Sequence, residues 1–533
     1  MKLKETTVDQ LLKYNAKYYP NEIAMEYHEY HCNWRELDKI TDCLAAKYLD
    51  YGIHKGTHVG IFAPNSPNWV FTYIALAKIG AVSVLINFNY KNKELQSIVN
   101  YASIEYLCYG DKYKENDFID MIKHLRKQKI WRMRQYIYIG PDENQNWLNV
   151  EDFITYENKN NNLENLIEKK AQVHSEDVLS MLFTSGTTAQ PKGVMLTQFQ
   201  MLNVAKIACE QMHWNQEDKI CLTLSLFHCF GLSTGLLASI VSGCSICVVE
   251  SFRSKQVIEL IDEKKCTVLN GVPTMFLAMM KNEEFYRYDL TSLKSGIIAG
   301  AGIRRCDYRN ICNHFPIKKL QQSFGQTEAS PSITFSDFED TLEQKEGSVG
   351  KVIPEVELRI MDEKRHIVTE PFVSGEVQIK GFNVMKFGYF KRKMDTKKVF
   401  TIDGWLRTGD IGYLDNEKNL YITGRKKDII IRCGENISPL EIEEVIMQYE
   451  GILDVKVFGV PDSFAQEEIA AAVSCYKSVK KEKLIAYLKE NIADYKVPKY
   501  IYGFQAFPLL ANGKVDIKTL KNTVLEKIKE DQV

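Results

Sequence analysis

The chain has 533 residues, of which 45% are hydrophobic and 26% are charged, a composition typical of soluble globular proteins. A single hydrophobic core usually divides below this length, so we expect more than one domain. The formal net charge of -1 gives no electrostatic reason to expect a nucleic acid or an anionic membrane as a partner.

The cysteines and the amino terminus indicate the compartment. Thirteen cysteines occur at irregular spacing, which favours reduced thiols over a disulfide framework. One Cys-x-x-Cys pair, Cys244 and Cys247, lies in an apolar run without a second pair nearby, so we interpret it as core packing. Residues 1–5 carry charges of both signs and no apolar run follows, so no signal peptide is predicted. We expect a cytoplasmic protein, and no pattern predicts its oligomeric state.

The first predicted elements are a helix, a short hairpin and a second helix between residues 8 and 52. Residues 58–62 then predict a strand, residues 67–80 a helix and residues 81–86 the next strand. A strand, a helix and a strand in this order form the parallel unit of α/β folds. The polar segment 110–174 predicts a linker in which no chemistry is visible.

Later segments alternate in the same way. Residues 178–183 are a short apolar run typical of a buried strand. Residues 221–249 are uncharged and long enough to cross a bilayer, but glycines and polar residues interrupt them, so we predict buried strand, loop, helix and strand. Short alternating runs after Val356 predict a β-rich subdomain. We place a domain boundary at Lys427, with residues 1–426 as the N-terminal domain and residues 427–533 as a compact α+β C-terminal domain.

The segment that follows the apolar run 178–183 has the composition of a phosphate-binding loop. It contains four hydroxyl residues and one glycine in succession: Thr184, Ser185, Gly186, Thr187 and Thr188. Their hydroxyl and backbone donors can converge on a polyanion, and Lys192 adds a positive charge. The spacing is not that of a Walker A loop, which argues against ordinary P-loop chemistry. The alternative is a solvated turn rich in serine and threonine.

Together with Pro191, Lys192 and Gly193, this segment resembles the signature loop of the adenylate-forming superfamily. That superfamily includes acyl-CoA synthetases, beetle luciferases and the adenylation domains of peptide synthetases. Ala189 replaces a usual glycine, and Gln198 stands in a stretch where the family often has Thr-His-x-Asn. The resemblance implies an α/β fold with a large N-terminal domain of helix-covered mixed sheets and a β-rich subdomain. It also implies a small mobile α+β C-terminal domain.

Further motifs match the family in order along the chain. By this resemblance, Phe324 stacks on adenine, Thr327 binds the α-phosphate and Glu328 holds Mg²⁺, an ion that prefers carboxylates together with substrate phosphates. Asp410 accepts hydrogen bonds from both ribose hydroxyls, and Arg425 reaches the ribose and the phosphate. The implied residues of the ATP and AMP site, besides those of the signature loop, are Gly300, Ala301, Gly302, Gln322, Ser323, Phe324, Gly325, Thr327, Asp410, Arg425 and Lys514.

The C-terminal region carries the remaining motifs of the resemblance. Lys427 occupies the position of the hinge about which the small domain rotates. The loop that lines the pantetheine tunnel corresponds to Gly434, Glu435 and Asn436, and these residues are expected to bind CoA. Lys514 matches the catalytic lysine, although Leu510 replaces the usual threonine of its loop. The implied catalytic residues are therefore Thr188, Lys192, Glu328 and Lys514.

Residues 226–231 resemble the pocket motif of fatty and aryl acyl-CoA ligases, and this resemblance implies the chemistry of the acyl group. The expected acyl-binding residues are Phe227, His228, Phe230, Gly231, Leu232, Leu236 and Ile298. They include no aspartate that would hold a substrate ammonium group, and a desolvated ammonium without a partner is costly, so amino acids are disfavoured as substrates. We expect a medium-chain fatty acid or an aryl acid. The alternative for each apolar residue is ordinary core packing, and the chain length of the acid is not predicted.

The implied reaction has two steps and needs ATP, Mg²⁺ and CoA. A carboxylate attacks the α-phosphorus of ATP to give an acyl-adenylate and pyrophosphate, and the thiol of CoA then displaces AMP. A stand-alone ligase that loads an acyl carrier protein shares every motif and is the first alternative. A non-catalytic protein that binds a nucleotide or an acyl group is the second, and a luciferase-like oxygenase has no specific support in the sequence.

Overall fold

The structure is a computed structural model that describes residues 3–128, 130–140, 148–149, 161–184, 191–432, 435–462, 464–509 and 515–531. Two large sheets dominate its N-terminal part. The first has seven strands and is parallel except at one edge, where the last two strands in chain order pair antiparallel. Its strands lie in the spatial order Lys192–Thr197, Val178–Thr184, Val82–Leu85, His58–Phe62, Tyr106–Tyr109, Gln135–Tyr138 and Leu148–Asn149.

The second large sheet has nine strands, of which the central ones run parallel and both edges are antiparallel. Its strands lie in the spatial order Lys351–Val352, Ser332–Phe335, Lys319–Gly325, Ser295–Ile298, Val268–Leu269, Lys219–Leu222, Ser245–Val248, Ile23–Tyr27 and Tyr30–Asn33. Parallel strands need crossover connections, and the helices between them cover both faces of such sheets.

Two smaller sheets follow in the chain. An antiparallel sheet of five strands contains Ile367–Val368, Val356–Met361, Gly375–Gly381, Leu406–Leu414 and Leu420–Arg425. A last sheet contains Glu435–Ile437, Ile430–Arg432, Gln466–Cys475 and Ile452–Asp462, with Tyr500–Phe504 parallel to Gln466–Cys475. A short hairpin pairs Lys112–Tyr113 with Asn116–Asp117.

The helices of the N-terminal part pack around the two large sheets. In the described residues up to 264 they are Val8–Tyr18, Trp34–Asp50, Pro67–Lys78, Asn92–Tyr101, Phe118–Lys127, Asn161–Ala171, Gln198–Gln211, Cys229–Gly231, the π-helix Leu232–Leu237, Ala238–Ser242 and Ser254–Lys264. The later helices of the described chain are Pro273–Met280, Arg305–His314, Leu342–Lys345 and Lys393–Val399, and, in the C-terminal region, Pro439–Met447, Lys481–Asn491 and Ile517–Asp531. Single 3₁₀ turns occur at Phe285–Arg287, Thr327–Ala329 and Asp494–Lys496.

The predicted α/β class with a β-rich subdomain and a small C-terminal α+β region is confirmed. The helix, hairpin and helix of residues 8–52 are present, and residues 221–249 form buried strands and helices as predicted. Within the described residues, no helix is long and apolar enough to cross a membrane. The buried apolar residues from Ile430 onward form clusters of their own, whereas the boundary at Lys427 and the mobility of this region stay predictions.

The segment 110–174, predicted as a linker, contains regular secondary structure in its described part, so that prediction is wrong there. It contains the helix Phe118–Lys127 and the strand Gln135–Tyr138, which pairs in parallel with Tyr106–Tyr109. Phe118, Met121, Ile122 and Leu125 are buried on one helix face, a helical periodicity that was present in the sequence. The high proportion of polar residues in the segment as a whole hid this periodicity.

A buried network of charges joins four N-terminal helices. The Lys78 side chain is fully buried, and its Nζ lies 2.6 Å from carboxylate oxygens of both Asp38 and Asp42. Lys170 Nζ lies 2.6 Å from Asp9 and 2.5 Å from Asp42. Although burial acts in the opposite direction, the two ammonium groups hold the pKa of Asp42 below its ordinary value. The three carboxylates have the spacing of a metal site, but the lysines already neutralise them.

We predict that Lys78→Met lowers the free energy of unfolding by about 2–3 kcal/mol, because it removes a buried cation that binds the partly exposed carboxylates of Asp38 and Asp42. Asp42 keeps Lys170 as a partner. Calorimetry would show this as a lower midpoint of thermal unfolding. Lys13→Met is the matched control, since Lys13 is half exposed and lies 3.2 Å from Asp9 in the same network, and its effect should stay within about 0.5 kcal/mol. Equal midpoints for the two variants would contradict a structural role for the network.

Candidate active site

The signature loop connects two hydrogen-bonded strands. Val178–Thr184 pairs antiparallel with Lys192–Thr197, and Thr184 lies opposite Lys192. Lys192 therefore begins a strand at the edge of the seven-stranded sheet, which the sequence analysis did not predict. Most of the predicted phosphate-binding residues lie outside the described residues, namely Ser185, Gly186, Thr187 and Thr188, and so does Ala189.

One tyrosine joins two of the predicted catalytic residues. Tyr389 Oη donates a hydrogen bond of 2.7 Å to Glu328 Oε1, and Lys192 Nζ lies 5.0 Å from the centroid of the Tyr389 ring. Lys192 and Glu328 are distant in sequence, and contact with the same side chain brings them together. Tyr389 itself is 6% exposed. No motif considered in the sequence analysis identified it, because its partners come from long-range pairing.

The backbone around Tyr389 is also bonded to both of these regions. Tyr389 lies opposite Val194 in an antiparallel bridge, and the Phe390 amide donates to the Gly193 carbonyl at 2.8 Å. At the other end, the Met385 amide donates to the Glu328 carbonyl at 2.8 Å. The segment 385–390 thus connects the strand that leaves the signature loop with the turn that carries Glu328.

The predicted adenine and α-phosphate residues follow the strand Lys319–Gly325. The side chains of Gln322 and Ser323 donate to the carbonyls of Lys345 and Thr334, so these residues hold the edge of the sheet. Phe324 is half-buried and Gly325 is exposed. Thr327 stands at the start of the next turn, where its Oγ1 lies 3.4 Å from Cys229 Sγ.

Asp410 and Arg425 meet across two antiparallel strands, as their register places them directly opposite each other. Arg425 Nε lies 3.0 Å from Asp410 Oδ1. Asp410 Oδ2 is buried and has no hydrogen-bond donor in the described part of the chain. Burial raises the pKa of the Asp410 carboxyl to about 6, although Arg425 acts in the opposite direction. A buried acceptor without a donor is costly, and a vicinal diol would supply the missing donors.

The predicted acyl motif adjoins the predicted adenine loop. Gly300, Ala301 and Gly302 are exposed in the loop after strand Ser295–Ile298. Gly300 has φ of +83°, and a Cβ atom placed there would lie 3.2 Å from Val272 Cγ1 and 3.9 Å from Phe230 Cδ1. Glycine is therefore required by conformation and by space. Phe230 is half-buried beside Gly300, and Ile298 lies opposite Gln322 in the parallel strand pairing, so both acyl candidates adjoin the nucleotide motifs.

The other predicted acyl residues are more deeply placed. Leu232 and Leu236 are buried in the π-helix Leu232–Leu237 and belong to the main core. Phe227 packs edge-to-face on Phe88 at a centroid distance of 5.1 Å, and Ile298 belongs to a second core cluster. His228 follows Phe227 with ring centroids 4.1 Å apart, and Gly231 is buried beside the Ser225 carbonyl. Several of the apolar candidates therefore belong to core clusters, and their role in acyl binding stays a prediction.

The C-terminal candidates lie only partly within the described residues. Lys427 is exposed in the turn after Arg425. Glu435 and Asn436 belong to the strand Glu435–Ile437, which pairs with Ile430–Arg432. Gly434, Leu510 and Lys514 lie outside the described residues. Their predicted roles stay predictions.

Comparison with protein families decides the classification. A model described as "AMP-binding enzyme" matches residues 12–390, and a model described as "AMP-binding enzyme C-terminal domain" matches residues 441–514. The chain belongs to the AMP-binding enzymes. The resemblance to the adenylate-forming superfamily inferred from the signature loop is therefore confirmed.

Individual members of the family resemble the chain over nearly its whole length. The putative acyl-CoA synthetase YngI of Bacillus subtilis is 34% identical over 537 residues, which cover 98% of this chain and 97% of that protein. The mitochondrial medium-chain acyl-CoA ligase ACSF2 of Mus musculus is 30% identical, with 99% of this chain and 89% of that protein covered. Among solved structures, the chain is similar to o-succinylbenzoate CoA synthetase from Bacillus subtilis in complex with the acyl-adenylate intermediate OSB-AMP. The TM-score is 0.80 and the sequence identity 25%, with 97% of this chain and 99% of that chain covered.

The raised pKa of Asp410 predicts how binding of a ribose depends on pH. Because the ionised carboxylate is the acceptor that both ribose hydroxyls need, affinity for adenosine should rise as the pH increases through about 6. We expect an affinity about tenfold higher at pH 7.5 than at pH 5, the scale of one hydrogen bond to a charged group.

Titration calorimetry with adenosine measures this affinity without interference from phosphate groups that ionise in the same range. The control is Asp410→Asn, whose affinity should be low and independent of pH. A wild-type profile as flat as that of Asp410→Asn would contradict the assignment of Asp410 to the ribose.

Proposed function

We propose that this AMP-binding enzyme is an AMP-forming ligase that joins a carboxylic acid to CoA by way of an acyl-adenylate. The observation that carries the proposal is the contact of Lys192 and Glu328 with one buried tyrosine. A fixed cation and a carboxylate suited to Mg²⁺ are thereby placed beside the end of the signature loop. Charge stabilisation of a transferring phosphate group needs both kinds of residue.

In the first step, a carboxylate oxygen of the acid attacks the α-phosphorus of ATP, and the bond to pyrophosphate breaks. No protein nucleophile is required, so the protein contributes position and charge. Lys192 and Lys514 offset phosphate charge, while Thr188 and Thr327 donate hydrogen bonds. Asp410 and Arg425 hold the ribose, and Phe324 packs on the adenine beside Gly300.

Glu328 is the residue that would hold Mg²⁺. Its carboxylate is partly exposed beside Thr327, and Mg²⁺ binds one or two carboxylates together with substrate phosphates, so the residue fits the ion. When bound, the ion neutralises phosphate charge. This chain supplies the Glu328 carboxylate for that ion.

In the second step, the thiol sulfur of CoA attacks the carbonyl carbon of the acyl-adenylate. The bond from that carbon to AMP breaks, and the thiol proton passes to solvent. We propose that the C-terminal region rotates about Lys427 between the steps, so that Lys514 serves the first and the loop of Gly434, Glu435 and Asn436 serves the second.

We propose a medium-chain fatty acid or an aryl acid as the substrate. Phe227 and Phe230 are apolar, and the predicted acyl motif contains no carboxylate that would hold an amino group. The name of the Mus musculus relative, a medium-chain acyl-CoA ligase, supports the same class. Acyl carrier protein is the competing acceptor, and the cytoplasm is the expected compartment.

The proposal predicts that exchange of labelled pyrophosphate into ATP depends on an added carboxylic acid. Straight-chain acids of graded length, benzoate derivatives and amino acids form the panel, and CoA and acyl carrier protein are then compared as acceptors by mass spectrometry. We expect exchange with medium-chain or aryl acids and thioester formation with CoA. Exchange confined to an α-amino acid, or transfer to carrier protein alone, would contradict the proposed substrate or acceptor.

A further inference from the structure

The segment 385–390 is held in place at both of its ends. It has no role in the mechanism above, yet its backbone amides donate hydrogen bonds to the carbonyls of Gly193 and Glu328. The amide of Tyr389 is itself held by Thr396 Oγ1 at 2.9 Å, and Tyr101 Oη donates to the Phe390 carbonyl at 2.5 Å. The position of the Tyr389 side chain is therefore set by several bonds that do not involve the phenol.

The phenol is the donor of this pair. Tyr389 is buried, and its hydroxyl lies 2.7 Å from Glu328 Oε1, a carboxylate oxygen that accepts the hydrogen bond. Among the described residues, Tyr389 is the one hydrogen-bond donor to the Glu328 side chain. Without this hydrogen bond, the Glu328 side chain could adopt other rotamers, and its carboxylate would no longer be held in the orientation proposed for binding the ion.

The ring has a second contact. Lys192 Nζ is 5.0 Å from its centroid, within the range in which a ring face attracts a cation. The hydroxyl and the ring face thus act on opposite charges. Removing the hydroxyl alone separates the contact with Glu328 from the contact with Lys192.

We propose that Tyr389 is a positioning residue that orients Glu328 for the Mg²⁺ of the bound ATP complex and holds Lys192 beside the same phosphates. This inference rests on the proposed function, in which Glu328 holds the ion. It adds that the metal residue is oriented by a phenol 61 residues away in the chain. Such a phenol should affect the increase in ATP affinity that Mg²⁺ causes, and it should not affect the transfer of the acyl group to CoA.

Titration calorimetry with ATP, in the presence and absence of Mg²⁺ and without any acid, tests the role of the hydroxyl. We expect Tyr389→Phe to bind free ATP as the wild type does. The factor by which Mg²⁺ increases the affinity for ATP should be about tenfold smaller in this variant, the scale of one hydrogen bond to a charged group. In single-turnover release of pyrophosphate, the Mg²⁺ concentration for half-maximal rate should rise by a similar factor. The rate of thioester formation from supplied acyl-adenylate should not change.

Three further variants test the assignment. Tyr101→Phe removes a phenol that holds the same segment without touching Glu328, and its Mg²⁺ dependence should match the wild type. In a Glu328→Gln background, Tyr389→Phe should add almost nothing, because a residue that acts through Glu328 is not additive with it. Tyr389→Leu, which also removes the ring, should in addition weaken binding of ATP in the absence of Mg²⁺.

The failures are distinguishable. If Glu328→Gln keeps the full gain from Mg²⁺, Glu328 is not the metal residue, and both the inference and that part of the proposed function are overturned. If Glu328→Gln loses the gain while Tyr389→Phe keeps it, only the positioning role is overturned. Equal losses in Tyr101→Phe and Tyr389→Phe would reduce Tyr389 to a structural residue. Absence of acid-dependent exchange in the wild type would contradict the proposed function without changing these binding results.

Discussion

The antiparallel pairing of Val178–Thr184 with Lys192–Thr197 is the constraint on which the rest of the site depends. It adds an edge to an otherwise parallel sheet, and it fixes the two ends of the signature loop as hydrogen-bonded neighbours. Loops positioned by a rigid scaffold can carry binding residues without the strands having to move. Tyr389 bridges to Val194 at the same edge, so the position of Glu328, the proposed metal residue, depends on this pairing through Tyr389.

The carboxylates of the core and of the site differ in their partners. In the core, Lys78 and Lys170 form ion pairs with three carboxylates, and Lys13 supplies the third positive charge. In the site, Asp410 has a buried oxygen without a donor among the residues that the structure describes, and burial raises its pKa. Structures retain such a group where a ligand completes it, because the cost of leaving it unpaired must be offset on binding.

Much of the fold could be predicted from local patterns, because helices and strands with strong periodicity bury one face. The pairs that build the site could not, since they depend on register between distant segments. Asp410 and Arg425 were both assigned to the ribose from resemblance, but only the pairing of their strands explains why they meet. Tyr389 has no local signal at all, and Phe118–Lys127 was missed because polar neighbours lowered the average of an apolar helix face.

The central claim is that a carboxylate oxygen attacks the α-phosphorus of ATP. The most direct test is a reaction with an acid in which both carboxylate oxygens are ¹⁸O, followed by mass spectrometry of the phosphate products. The mechanism predicts one labelled oxygen in each AMP, because the bond that breaks in the second step is the bond between the carbonyl carbon and that oxygen. Label in inorganic phosphate, or unlabelled AMP beside newly formed thioester, would contradict the acyl-adenylate route.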